Sequence, residues 1–209
     1  MALPQFSPIQ DNETLVTLKT NLGDITLRFF PQEAPKAVEN FVTHAKNGYY
    51  DGVIFHRVIS GFMIQGGDPQ GTGMGGESIW GKGFGEEFSD SLYHFRGALC
   101  MAKSSLPNSQ GSQFYIVTGD LLSQDPRYAD MMVQLGYPEE AIAAYQEHGG
   151  YFGLDNRYTA RANYSKGYTI FGQVTEGMDV VDAISAVKTN GMDKPLEDVT
   201  ILSVEVVNP

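Results

Sequence analysis

Twenty-four glycines are spread through the 209 residues of this chain and cut it into short pieces. A glycine inside a helix costs about 1 kcal/mol relative to alanine, so this punctuation disfavours long helices and favours turns and close backbone approaches. Between the glycines, apolar and polar residues alternate. Residues 14–20 and 24–30 do so around Asn21-Leu22-Gly23, which predicts a hairpin. Residues 53–59 and 62–65 read as strands broken at Gly61, and 97–102, 113–118, 168–174 and 199–207 as further short strands. Helical spacing occurs after Pro35, at Ala37, Val38, Phe41, Val42 and Ala45, and again over 179–187, at Val180, Val181, Ile184 and Val187. Seven or more short strands with two short helices predict a mainly β fold, a closed antiparallel barrel with helices over its ends.

Residues 120–163 depart from this pattern. Tyr128, Met131, Met132 and Leu135, then Ile142 and Tyr145, suggest two helical pieces split at Gly136-Tyr137-Pro138. Six acidic residues against Arg127 alone lie between 120 and 148. The segment is too short for an independent core. It reads as a helical, acidic insertion in a single domain spanning residues 1–209.

The formal net charge is −11 and no basic stripe is visible, so no nucleic-acid partner is expected. Twelve Phe and eleven Tyr supply enough apolar surface to offset chain entropy, which argues against disorder. One cysteine, Cys100, excludes an internal disulfide and a thiolate zinc cluster. It lies in the apolar run Ala98-Leu99-Cys100-Met101-Ala102 and reads as a buried thiol. Residues 1–16 have no basic stretch followed by an apolar one, and no span of about 20 apolar residues occurs. The expectation is a cytoplasmic chain with no membrane partner.

Residues 55–76 read FHRVISGFMIQGGDPQGTGMGG. Gly71 to Gly76 match G-x-G-x-x-G, which cradles dinucleotide phosphates when a strand precedes it and a helix opens after it. Here Gly81, Gly83 and Gly85 follow within ten residues, so no helix can open and the nucleotide reading fails. The four histidines, at 44, 56, 94 and 148, have no H-x-x-x-H spacing, and neither metal nor cofactor is expected. Gly111-Ser112-Gln113 lacks the nucleophile elbow of hydrolases. His56 reads as a structural histidine among strand residues.

One arrangement survives. Arg57, Phe62, Met63 and Gln65 lie on two adjoining strand segments. Gln113 and Tyr115, two apart on a later strand, share a face. A permanent guanidinium, two amides and a floor of Phe, Met and Tyr suit a neutral polar ligand with an apolar ring.

These residues resemble the signature of the cyclophilin-type peptidyl-prolyl cis-trans isomerases, through Phe55–Ile59 with Gly61–Asp68 (FHRVI, GFMIQGGD). The runs at 97–102, 108–117 (NSQGSQFYIV) and 169–177 (TIFGQVTEG) add to it. The resemblance covers residues 14–119 and 168–207. It implies an eight-stranded antiparallel barrel capped by two helices and a rotamase that assists protein folding. Proline-containing peptides and unfolded or partly folded proteins are the implied partners. Carried over by position, Arg57 resembles the catalytic arginine, with Gln65 positioning it. Phe62, Met63 and Tyr115 match the proline pocket, and Gln65 and Gln113 match polar contacts to the substrate backbone. Ala102 and Lys103 match the edge that holds the residue before proline. Tyr115 stands where the family usually has Phe, and Lys103 where it usually has Asn. Two alignments are open for the remaining wall: Leu154 in Leu154-Asp155-Asn156 with Tyr158, or Tyr164 and Tyr168 beside the following strand, with Tyr168 preferred. Neither supplies a Trp, so the resemblance implies weak cyclosporin binding. A proline-peptide-binding module or holdase chaperone with incidental isomerase activity is the alternative.

Overall fold

The pleat of eight short strands sorts the apolar side chains into two layers. The structure, a computed structural model, describes residues 3–161 and 167–208. Strands β1 (Leu15–Thr20) and β2 (Gly23–Phe29) form the predicted hairpin, and β3 (Arg57–Ile59) and β4 (Met63–Gly66) a second antiparallel pair. The remaining strands are β5 (Ala98–Met101), β6 (Phe114–Val117), β7 (Ile170–Glu176) and β8 (Ile201–Val207). All neighbours are antiparallel, in the order β3-β4-β6-β5-β7-β2-β1-β8.

Side chains on successive strand residues point to opposite faces. On the concave face Leu18, Leu27, Ile64, Leu99, Phe114 and Ile116 are fully buried in the main core. Helix α1 (Pro35–Lys46) adds Phe41 to that core. The last helix, which follows Gly177, adds Val181 and Ile184. The α1 amides of Lys36 and Ala37 donate to the Glu87 carboxylate at 3.1 and 3.0 Å, an anion at the positive end of the helix. On the opposite face Met63, Tyr115, Val117, Ala98, Cys100 and Ile170 form a separate apolar cluster.

The sheet curls but does not close, which corrects the expectation of a closed barrel. The edge strands β3 and β8 are not paired as strands. Of the strand read at 53–59, only three residues are in the ladder. The gap is spanned by the isolated bridge Ile54–Thr200 and by single backbone bonds, such as Phe55 N to Val199 O at 2.9 Å and Val58 N to Asp193 O at 2.8 Å. Gly52 and Asp193, on either side of the gap, have φ of 79° and 61°. Left-handed backbone belongs to turns, and it interrupts a regular ladder on both flanks.

Helices α2 (Leu121–Gln124), α3 (Arg127–Gln134), α4 (Glu139–His148) and α5 (Asn156–Arg161) precede β7, and α6 (Met178–Ser185) is the helix after Gly177. The split between α3 and α4 falls at the predicted Gly136-Tyr137-Pro138, with Gly136 at φ 77°. Met132, Tyr137, Ala141, Tyr145 and Phe152 bury together, and Tyr93 and Phe95 from the run leading into β5 complete their cluster. The helical segment therefore leans on the sheet domain for its core.

Candidate active site

Strand register brings the sequence-predicted residues into one row. Arg57 pairs with Gln65, Gln65 with Tyr115, and Tyr115 with Cys100. Neighbouring strands lie about 4.8 Å apart, so a cation, an amide and an aromatic ring follow one another across three strands on one face. The next row holds Ile59, Met63 and Val117.

Arg57 is exposed, with 46% of its side chain in solvent. Its Nε lies 3.6 Å from the Asp193 carboxylate, from the loop before β8. An exposed pair of this kind holds a side chain loosely, at about 0–1 kcal/mol. Among the described residues the guanidinium makes no hydrogen bond.

The amides form a chain. Gln65 Nε2 donates to Gln113 Oε1 at 2.9 Å, and Gln113 Nε2 donates to the Gly75 carbonyl at 2.8 Å. Gln65 thus lies beside Arg57 by register and commits its own N–H group to Gln113. The chain ends in the glycine-rich loop, and the loop has a reason for its glycines. Asp68 is fully buried. Its carboxylate accepts from the backbone amides of Gln70, Thr72, Gly73 and Gly75 and from the Thr72 hydroxyl, at 2.7–3.1 Å. A Cβ on Gly75 would lie 2.4 Å from Asp68 Oδ1, so the wrap admits only glycine there. Burial pushes the Asp68 carboxyl upward, and the Gln70, Gly75 and Thr72 donors outweigh it, leaving its pKa below the ordinary 3.8.

The apolar part lies around Met63 and Tyr115, 2% and 5% exposed. Phe62, Ala102, Leu154 and Tyr168 are half-buried against the same cluster, so both candidate walls, Leu154 and Tyr168, meet there. Tyr164 lies outside the described residues. Tyr168 meets the Tyr115 ring edge-on at 5.8 Å. Lys103 is 5% exposed along its side chain; its Nζ lies 2.9 Å from Glu86 and 5.1 Å from the Tyr168 ring centre. It stands in the wall as a paired cation over an aromatic face. Beside it a cavity of about 480 Å³ opens between Gln65, Met74, Ala102, Lys103, Ser109 and Gln113.

Several neighbours were not read from the sequence. Tyr151 packs its ring 4.6 Å from Phe62. Glu86 and Asp193 supply the carboxylates for Lys103 and Arg57. His94 and Asp155 form a buried pair behind Tyr115, at 2.8 and 3.1 Å from their partners. Tyr151 and Asp155 flank Leu154, and an aromatic-Leu-Asp run was the available signal. The others are joined only by tertiary contact. His56 is 6% exposed; burial pushes its pKa below the ordinary 6.5, and neither ring nitrogen meets a partner among the described residues. Trp80 packs on Phe84 and takes no part in the apolar cluster of the site. Among the described residues no group of three or more His, Cys, Asp or Glu is placed to hold a metal. No helix among them is long and apolar enough to cross a membrane.

The sequence pattern of the family described as cyclophilin type peptidyl-prolyl cis-trans isomerase/CLD matches residues 15–206. A protein of Staphylococcus haemolyticus named as a peptidyl-prolyl cis-trans isomerase is 48% identical over 204 residues, covering 97% of this chain and 96% of its own length. The crystal structure of a Cryptosporidium parvum cyclophilin-type peptidyl-prolyl cis-trans isomerase superposes with a TM-score of 0.71 at 30% identity, covering 93% of this chain and 98% of that one. The same protein solved in the presence of the dipeptide Ala-Pro gives 0.69 at 31% identity, over 91% and 96%.

Proposed function

The chain belongs to the cyclophilin-type peptidyl-prolyl cis-trans isomerases, and we propose that it accelerates rotation about X-Pro bonds with Arg57 as the electrostatic catalyst. The observation that carries this is the row Arg57–Gln65–Tyr115, which sets one exposed guanidinium beside an apolar floor.

Amide resonance opposes the rotation with a barrier of about 18–20 kcal/mol. In the twisted state the imide nitrogen turns pyramidal and regains a lone pair. A donor aimed at that nitrogen stabilises the twisted state and not the planar one, which is the condition for catalysis. A guanidinium is a permanent cation, and the Arg57 fork can hold the preceding carbonyl or reach the nitrogen. Phe62, Met63 and Tyr115 grip the proline ring, with Leu154 and Tyr168 as walls. Gln65 and Gln113 hold the substrate backbone. The cavity beside Ala102 and Lys103 takes the residues before proline. This division lets the carbonyl side turn while the ring is held. The chemistry needs no nucleophile and moves no proton.

The neighbour solved with Ala-Pro supports a proline-containing peptide as the ligand class. We read residues 120–163 as an acidic insertion within one domain, since its buried cluster needs Tyr93 and Phe95. The test of the function is exchange spectroscopy on a short Ala-Pro peptide with the full chain. Acceleration that saturates with peptide is expected; exchange at the uncatalysed rate would overturn it. The pocket cluster contains no indole, so cyclosporin is expected to bind in the micromolar range or weaker, about −8 kcal/mol or less favourable. Calorimetry showing nanomolar affinity would contradict this.

A further inference from the structure

Five titratable side chains lie buried in one chain of hydrogen bonds behind the pocket. His94 and Tyr145 are fully buried, and Asp155, Tyr115 and Tyr137 are 4%, 5% and 6% exposed. A buried carboxylate is tolerated only when its lone pairs are filled. Asp155 Oδ1 accepts the His94 backbone N–H at 2.9 Å and Nδ1–H at 2.8 Å. Its Oδ2 accepts the Tyr137 and Tyr145 hydroxyls, each at 2.8 Å. With Nδ1 as the donor, His94 Nε2 is left as the acceptor, and the Tyr115 hydroxyl lies 3.1 Å away. The hydrogen bonds thus run from helix α4 and the α3–α4 turn, through Asp155 and His94, to strand β6.

We infer that Asp155 and His94 are positioning residues for the isomerase pocket: they draw the Tyr115 hydroxyl away from the bound proline and tie the pocket floor to the helical segment. The inference rests on the reading of Tyr115 as that floor.

A tyrosine in an apolar floor carries a hydroxyl that must find a partner. If the partner lay on the ligand side, the floor would offer a polar atom to the proline ring. Here the hydroxyl faces a fully buried imidazole and the buried Cys100 thiol, so the ligand meets only the face and edges of the ring. The His94 and Tyr115 rings are nearly parallel, 8° apart, and Tyr168 stands edge-on to both at 6.5 and 5.8 Å. The floor, the wall and the imidazole are therefore packed as one group. Burial pushes the Tyr115, Tyr137 and Tyr145 phenols well above their ordinary value of 10.0, so all three stay neutral donors. The backbone reinforces the tie. Tyr151 N donates to the His94 carbonyl at 2.8 Å, and the Tyr151 ring rests on Phe62. A shift of the 151–155 turn would move Tyr151, Leu154 and the Tyr115 anchor together.

The test uses the full chain and an Ala-Pro peptide. Asp155→Ala frees His94 and with it the Tyr115 hydroxyl. The ring contacts substrate in ground and transition state alike, so KM is expected to rise about five- to tenfold with kcat within about twofold. In a Tyr115→Phe background the same substitution is expected to raise KM clearly less, because the hydroxyl it would release is absent and only the shift of Tyr151 and Leu154 remains. An unchanged KM in Asp155→Ala, or an equal rise in both backgrounds, would overturn the inference. If Asp155→Ala does not fold, His94→Phe removes the imidazole that faces the Tyr115 hydroxyl and is read in the same way, with and without Tyr115→Phe. Tyr115→Ala separately tests the floor: peptide binding that survives it would sink that reading, whatever the background comparison shows.

Discussion

Replacing Arg57 with alanine is expected to lower kcat/KM for an Ala-Pro peptide by about 10²-fold or more, with the fold intact. The size follows from the role. One preorganised donor aimed at charge that develops only in the transition state contributes about 3 kcal/mol, and 10²-fold corresponds to about 2.7 kcal/mol. The loss should fall on kcat as well as kcat/KM, because the planar ground state does not use the donor. Structure and activity separate cleanly at this position. Arg57 sits on the edge strand, half its side chain is in solvent, and its one ion pair is exposed. Removing it should shift the melting temperature little. Arg57→Lys keeps the charge and loses the fork, so it is expected to fall between the two, recovering part of the loss. A folded Arg57→Ala protein with unchanged turnover would remove Arg57 from the mechanism.

The elements legible in the sequence are those written locally. Alternation in 15–20 and 23–29, and the apolar runs at 98–101 and 114–117, fixed strand positions to within a residue or two. They also put Gln113 and Tyr115 on one face. Closure was not legible, because it depends on what the chain does between strands. Left-handed turns at Gly52 and Asp193 flank the gap, and neither belongs to an alternating run. The site divides in the same way. Arg57, Phe62, Met63 and Gln65 stand within nine residues, so pattern found them. His94 and Asp155 are 61 residues apart and meet only once the segment before β5 packs against the turn after α4. The acid beside Arg57 is hidden for the same reason. That acid, Asp193, comes from the far end of the chain. Lys103 looked like an open edge, and Glu86 and Tyr168 make it part of a wall.

The glycine motif was legible as a pattern and misleading as chemistry, and Asp68 is the residue that tests why. A loop that aims four backbone amides at one point is an anion nest, and a phosphate would fit its polarity. Here the protein's own carboxylate already fills it. Asp68→Ala takes the shared acceptor from those amides and the Thr72 hydroxyl, which are only partly shielded from water, and is expected to cost about 1–2 kcal/mol, or about 2–8 °C in melting temperature for a chain of this size. The cost should reach the site, because Gly75 gives its carbonyl to Gln113, which in turn holds Gln65. A several-fold fall in kcat/KM is expected alongside. Asp68→Asn removes the charge together with one acceptor. The amide can keep the oxygen that serves Thr72, Gly73 and Gly75 while losing the Gln70 bond. The Asp68 carboxyl titrates below its ordinary value of 3.8 in the folded protein. Its stabilisation is therefore complete above that value and is lost as pH falls through the lower, folded one. The melting-temperature gap between the wild type and Asp68→Asn should be constant from neutral pH down to about pH 4 and then narrow with further acidification. A gap of constant width down to about pH 2 would mean that the nest does not hold a charged carboxylate, and the glycines would then need another explanation.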